Sequence, residues 1–232
     1  VVVLFGVGFF LFKNKSLTAG KKNVIIVLID TLRADHLGMF GYERDTSPNL
    51  DAFAKENIFF KSAITPAPWT PPSVASILSG LYVGAHGMMP PNSRNAAKTR
   101  STQLDSSVYT LPEYLKDNGY LTVGITPNPW ITKDFGYDQG FDTFVSLKRN
   151  AYADEVTNVG IEKVTEMKSK GKPFFLYLHY LDPHNPYRPR GEFATKYNGE
   201  LKVRKYSQNI QRQINRYDGE IAFTDREIGR FF

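Results

Sequence analysis

The chain of 232 residues contains no cysteine. That absence removes disulfides, thiolate metal sites and a cysteine nucleophile together, and it leaves the redox compartment open. Histidine is scarce, with four copies, so imidazole chemistry is confined to His36, His86, His179 and His184. Internal repeats and low-complexity tracts are absent as well. The opening apolar run Val1–Phe12 (VVVLFGVGFFLF) is too short to cross a bilayer alone. As a helix it would reach roughly 18 Å, against a hydrocarbon core of about 30 Å.

What is present is ordinary for a globular chain: 41% hydrophobic and 22% charged residues, enough to bury a sizeable core. The net charge is +6, but the basic residues are scattered. Their densest group, Lys13, Lys15, Lys21 and Lys22, adjoins the apolar run and reads as a membrane flank rather than a nucleic-acid patch. No nucleic-acid partner is expected. Because position 1 is Val, the run reads as the remaining half of a membrane anchor or signal sequence. The last segment, Tyr217–Phe232, has apolar residues at helical spacing and no stop signal, so both ends are expected to be cut. The organisation that follows is an anchor or signal segment with a basic linker over 1–22 and one domain over 23–232.

Asn23–Ile29 (NVIIVLI) is a short β-branched run, as expected of a strand buried on both faces, and Asp30 follows at its carboxyl end. Helices are expected over Asn49–Lys55, Thr70–Leu78, Thr110–Asn118 and Asp154–Lys170. Strands are expected over Phe59–Ile64, Tyr120–Thr126 and Pro173–His179. Residues 187–208 are polar and basic and read as a surface excursion. Strands alternating with helices predict an α/β fold: a doubly wound, mostly parallel sheet with helices on both faces.

Three places could carry chemistry. In PWTPPSVASILSG, Thr70 reads as an N-cap followed by Pro71 and Pro72, placing a hydroxyl at the positive end of a helix dipole beside unpaired N–H groups. A capping threonine has the same pattern. Asp30 ends a buried strand, where a carboxylate must be paired or bound to a metal; a salt bridge to Arg33 or an N-cap would also satisfy it. His184, in LHYLDPHNPY, follows a buried strand in a proline-rich loop and could donate to an anionic ester or protonate a leaving group. His179 is expected to pack in the core, and His36 and His86 read as ordinary loop histidines.

Taken together, VLIDTLRADHLGMFGY, DTSPNLD, TPPSVASILSGLY, LPEYLKDNGYLTVGI, FGYDQGFDTF, FFLYLHYLDPHNPY and YDGEIAFTDREIG resemble the sulfatase family of the alkaline-phosphatase superfamily, in order and spacing. The resemblance covers nearly all of Asn23–Phe232. It implies a metal-dependent ester hydrolase acting on small-molecule, glycan or lipid sulfate or phosphate esters. Asp30 would be a ligand of a divalent cation (Ca, or Mn, Zn or Mg), Thr70 would stand at the nucleophile position beside that cation, and His184 would contact the transferred group.

The departures from the family pattern are specific. Thr31 stands where a second aspartate is frequent. Thr70-Pro71-Pro72-Ser73-Val74 aligns with Cys/Ser-x-Pro-x-Arg, with Thr for the nucleophile and Val for the arginine. Threonine cannot be oxidised to an aldehyde, so formylglycine is not expected. Gly124-Ile125-Thr126-Pro127-Asn128 replaces a Gly-Lys-x-His motif, leaving Asn128 as a possible anion contact. The family completes its metal site with an Asp-His or Asp-Asn pair after the segment matched by YDGEIAFTDREIG, past residue 232. Threonine nucleophiles occur in similar phosphoethanolamine transferases and lipoteichoic acid synthases, so phosphoryl transfer is the alternative reaction; a degenerate binding domain is the third. Family habit places the domain outside the cytoplasm, whereas the lysines after the apolar run favour the inside.

Overall fold

The computed structural model describes residues 20–88, 103–149 and 151–232. The expected anchor at Val1–Phe12, with Lys13 and Lys15, lies outside the described residues. Among those described, no helix is long and apolar enough to cross a membrane.

Four strands, β1 (Val24–Ile29), β2 (Leu121–Thr126), β3 (Thr143–Ser146) and β4 (Phe174–Tyr180), form one sheet in the order β1-β4-β2-β3, every neighbouring pair parallel. β4 is flanked on both sides and buried throughout, which is why its sequence is apolar without alternation. On one face Val27, Ile29, Leu176, Leu178 and Tyr180 join Val156 of α5 (Ala153–Ser169) and Ile221, Phe223 and Ile228 of α6 (Gln208–Phe231). On the other, Ile26, Leu28, Phe175 and Tyr177 join Val74, Ala75 and Leu78 of α2 (Thr70–Ser79) and Leu115 of α4 (Leu111–Asp117). Helices therefore cover both faces, as expected of a doubly wound sheet. The remaining α-helices among the described residues are α1 (Pro48–Glu56) and the single turn α3 (Val83–His86).

Most predicted elements fall within two residues of their observed bounds, because cap and stop signals are local. Thr110 and Glu113 form a capping box before α4, and Gly119 takes the left-handed conformation, φ 81°, just beyond it. Phe59–Ile64 is a correction: it is not a strand. Phe60 is 69% and Ile64 93% exposed, and no strand lies beside the segment among the described residues. Aromatic and β-branched composition without a ladder partner does not make a strand. The excursion over 187–208 is not wholly polar surface either, since Phe193 and Leu201 are buried and pin it down.

Two carboxylates of α6 fasten the stretch that follows β1. Asp225 accepts from the Asn49 amide, the Asn49 side chain and the Leu50 amide at 3.0, 2.8 and 2.8 Å, so it serves the start of α1 from another helix. Asp218, fully buried, contacts His36 Nδ1, Tyr42 Oη and Arg44 Nη1, each at 2.7 Å. His36 thus anchors the chain, in keeping with its ordinary reading. Asp218→Ala would leave Arg44 and Tyr42 without their buried acceptor and should cost about 3 kcal/mol in urea-denaturation stability. A loss below about 0.5 kcal/mol, the usual size for a surface substitution, would show that the cluster is not structural.

Candidate active site

Parallel strands present their carboxyl ends together, and here those ends carry Asp30 after β1, Asn128 beyond β2 and His179 near the end of β4. Register pairs Leu28 with His179. Asp30 lies two residues past Leu28 and therefore on the same face as His179, the face that α2 covers. Thr70, the first residue of α2, meets them there.

The arrangement centres on the Asp30 carboxylate, which is 6% exposed. Thr70 Oγ1 lies 3.2 Å from both of its oxygens and donates to them. Asn128 Nδ2 donates to Oδ2 at 2.9 Å, and His179 Nε2 faces the same oxygen at 3.3 Å. Tyr177 Oη, 3.1 Å from His179 Nδ1, suits the tautomer whose Nε2–H points at Asp30. Burial by itself would raise the Asp30 pKa, but the His179 hydrogen bond and charge, the His184 charge and the Thr70 hydrogen bond outweigh it and hold the carboxyl below its usual value. A cavity of about 210 Å³ opens over this group, lined by Asp30, Thr31, Trp69, Thr70, Ser73 and Val74 among others.

The helix start differs from the expected one. Trp69 is the N-cap and Thr70 the first helical residue. Pro71 and Pro72 have no N–H, and the Ser73 N–H is bound to Trp69 O at 3.2 Å. The expected cradle of free N–H groups is therefore reduced to the Thr70 amide. Arg33 does not pair with Asp30; it forms a two-point contact with Asp35 at 2.9 and 2.6 Å. Asn128 is buried with both ends of its amide engaged, on Asp30 and on the Trp130 N–H, and it is not among the residues lining the cavity, so in this structure it supports Asp30. Val74 packs in the core beneath the cavity, where the family pattern has an arginine.

His184 stands apart. It is exposed, its Nδ1 contacts Asn185 O at 2.7 Å, and no hydrogen bond joins it to Asp30 or Thr70, although its charge reaches Asp30. Its loop is tied to the end of β1 by Thr31, whose Oγ1 donates to Pro183 O at 2.8 Å. Thr31 is held at φ 54°, a strained conformation for a β-branched residue, and its carbonyl accepts from Tyr217 Oη at 2.7 Å. His179 is the site residue that sequence reasoning missed. Burial in β4 was expected, and only the strand register puts it against Asp30. His86 is also buried, 2.9 Å from Ser76 Oγ; its Nδ1 accepts from the Met88 N–H, so Nε2–H points at the serine and cannot take its proton.

The Asp30 carboxylate and the Thr70 hydroxyl are hard oxygen donors side by side under an open cavity, and they fit two positions on a divalent cation. Among the described residues no group of three or more His, Asp or Glu side chains is gathered to complete such a shell.

The family model described as Sulfatase matches residues 22–232. The arylsulfatase of Clostridium perfringens is 22% identical over 91% of this chain. Among solved structures, the putative sulfatase yidJ from Bacteroides fragilis superposes with a TM-score of 0.70 at 20% identity over 93% of the chain. The C-terminal periplasmic domain of EcEptC from Escherichia coli, in complex with Zn, gives 0.68 at 18% identity over 91%. The chain spans 58% of the length of that arylsulfatase and 59% of each of the two solved chains.

Removing the donor at His179 tests the electrostatics directly. His179→Leu should raise the Asp30 pKa in metal-free protein, read by carboxyl-carbon NMR. A depressed carboxyl gives stability that is present above its unfolded pKa and lost as pH falls through the folded value. The variant should therefore lose part of the stability that Asp30 adds above about pH 4. An unmoved Asp30 titration would remove His179 from the site.

Proposed function

The chain belongs to the sulfatase family, and from that premise we propose that the protein is a metal-dependent hydrolase of sulfate esters in which Thr70 is the nucleophile. One observation carries this reading: Thr70 Oγ1 is held 3.2 Å from both oxygens of a buried carboxylate, at the edge of an open cavity on the carboxyl ends of the strands.

Asp30 and Thr70 are the residues that would hold the cation. When bound, the cation supplies positive charge that acidifies the hydroxyl and offsets the charge of the ester. Asp30, with its depressed pKa, is a weak base, so its part is to fix the Thr70 hydroxyl rather than to take its proton. Asn128 and His179 in turn fix Asp30. The Thr70 hydroxyl gives its proton to solvent water in the open cavity as its oxygen attacks sulfur, and the bond from sulfur to the alcohol oxygen breaks as that oxygen takes a proton from His184. Water later hydrolyses the Thr70 ester, its proton returning to His184. His184 protonates the leaving oxygen from Nε2, and it can do so only as imidazolium, because Nδ1–H is fixed on Asn185 O. With threonine at position 70, an aldehyde mechanism has no place.

The second reading, phosphoryl transfer, keeps every one of these roles and changes only the central atom. It is favoured by the threonine itself, which attacks as an alkoxide and cannot form the aldehyde hydrate. Substrates in either case are small-molecule, glycan or lipid esters.

In the full-length protein, Thr70→Ala should lower kcat/KM by roughly a thousandfold or more. Unchanged turnover would exclude Thr70 as nucleophile, and comparison of aryl sulfate with aryl phosphate assigns the reaction. Dialysis against a chelator should abolish turnover of the full-length enzyme, and a divalent cation should restore it. Full activity in the chelated protein would rule out the metal.

A further inference from the structure

A second cavity, of about 90 Å³, lies beside the His184 loop, lined by Tyr152, Leu181, Asp182, His184, Arg188 and Glu220 among others. The mechanism above uses neither of its carboxylates. Glu220 is 3% exposed. Its Oε1 accepts from the Arg188 backbone N–H, while its Oε2 is buried without a hydrogen-bond partner. Asp182 Oδ2 accepts from the Ala153 N–H at 2.8 Å. Neither carboxylate forms an ion pair among the described residues. Arg190, the nearby candidate, lies over the Tyr152 ring at 4.2 Å and approaches Asp154 instead. A buried carboxylate oxygen left without a donor is costly, and such a group in a cavity wall marks a place where a donor from outside fits.

We propose that this cavity binds a primary ammonium group, with Glu220 Oε2 and Asp182 as acceptors and the Tyr152 ring as a wall. The chemistry favours an organic ammonium over a metal ion. Two carboxylates beside an aromatic ring suit a compact N–H donor cation, and no third carboxylate or imidazole is gathered with them to form a metal shell. Burial outweighs what counter-charge there is, Arg190 acting on Asp182 without restoring its usual value. Burial pushes the Glu220 carboxyl up to about 8 and that of Asp182 up to about 6, the first helped by its proximity to Asp182. A bound cation supplies the missing charge.

His184 lines this cavity, and its loop is tied to the end of the strand that carries Asp30 by the Thr31 Oγ1 to Pro183 O hydrogen bond. The cavity is therefore a subsite for an amine on the alcohol portion of the substrate, an amino sugar or amino alcohol. That assignment rests on the catalytic reading of His184 and Thr70, whereas ammonium binding does not.

Ethanolamine and its uncharged counterpart ethylene glycol are the probes, titrated into the full-length protein by calorimetry and NMR. Ethanolamine should bind and shift the His184 and Tyr152 resonances, and ethylene glycol should do neither. Glu220→Gln keeps the acceptor for the Arg188 N–H and should weaken ethanolamine binding roughly tenfold or more, as expected for loss of a buried charged hydrogen bond. Asp182→Asn should weaken it in the same direction. Thr70→Ala should leave it intact, so loss of hydrolysis and loss of ammonium binding are separate results. Equal response to the two probes, ethanolamine affinity indifferent to Glu220→Gln, or calcium binding that Glu220→Gln abolishes would each overturn the proposal. Should Glu220→Gln fail to fold, the resonance shifts in the unaltered protein decide it.

Discussion

A carboxylate cannot be buried without partners, and the site is organised around how Asp30 meets that demand. The burial comes from the sheet: β1 runs between two packed faces and sets Asp30, the residue just past its end, at the carboxyl edge with little solvent around it. The partners come from three other elements, Thr70 from the start of α2, Asn128 from the loop after β2, and His179 from β4. One charge thus ties together segments 40, 98 and 149 residues away in sequence. Without those donors the carboxyl would protonate or the edge of the sheet would rearrange, and Thr70 would have nothing to hold its hydroxyl at the cavity.

The departures from the family pattern fit one another in this frame. A valine at position 74 belongs to the apolar core, where an arginine would need a buried counter-charge. Thr31 supplies no carboxylate, but its hydroxyl and carbonyl link the end of β1 to Pro183 and to Tyr217, fastening the His184 loop and α6 to the strand that carries Asp30. The paired prolines remove N–H donors from the α2 terminus, so an anion at this site depends more on a cation and on His184 than a bare helix start would suggest.

Much of this was legible in the sequence because it is encoded locally. NVIIVLI and PFFLYLH announce buried parallel strands by lacking alternation, and the Thr110–Glu113 box and Gly119 mark the ends of α4. Asp30 and Thr70 could be singled out because each sits at an element terminus, where side chains are free to do chemistry. What sequence could not supply was register. His179 has the pattern of a core residue and becomes a partner of Asp30 only through its pairing opposite Leu28. Asn128 lies in the loop beyond β2, and its bond to Asp30 likewise appears only in the folded chain. The four-residue β3 is too short to stand out, and Phe59–Ile64 has strand composition without a neighbour to pair with. Nothing in the sequence singles out Glu220 within Tyr217–Phe232; its unpartnered oxygen is a property of the packed structure alone.

The central claim is that the hydroxyl held by Asp30 becomes covalently linked to the transferred group. Rapid-quench mass spectrometry of the full-length protein during turnover of an aryl ester tests it most directly. A sulfuryl or phosphoryl adduct is expected on the peptide containing Thr70, appearing before steady state and released on the time scale of turnover. Steady turnover with the adduct on another residue, or with direct transfer to water and no adduct, would contradict it.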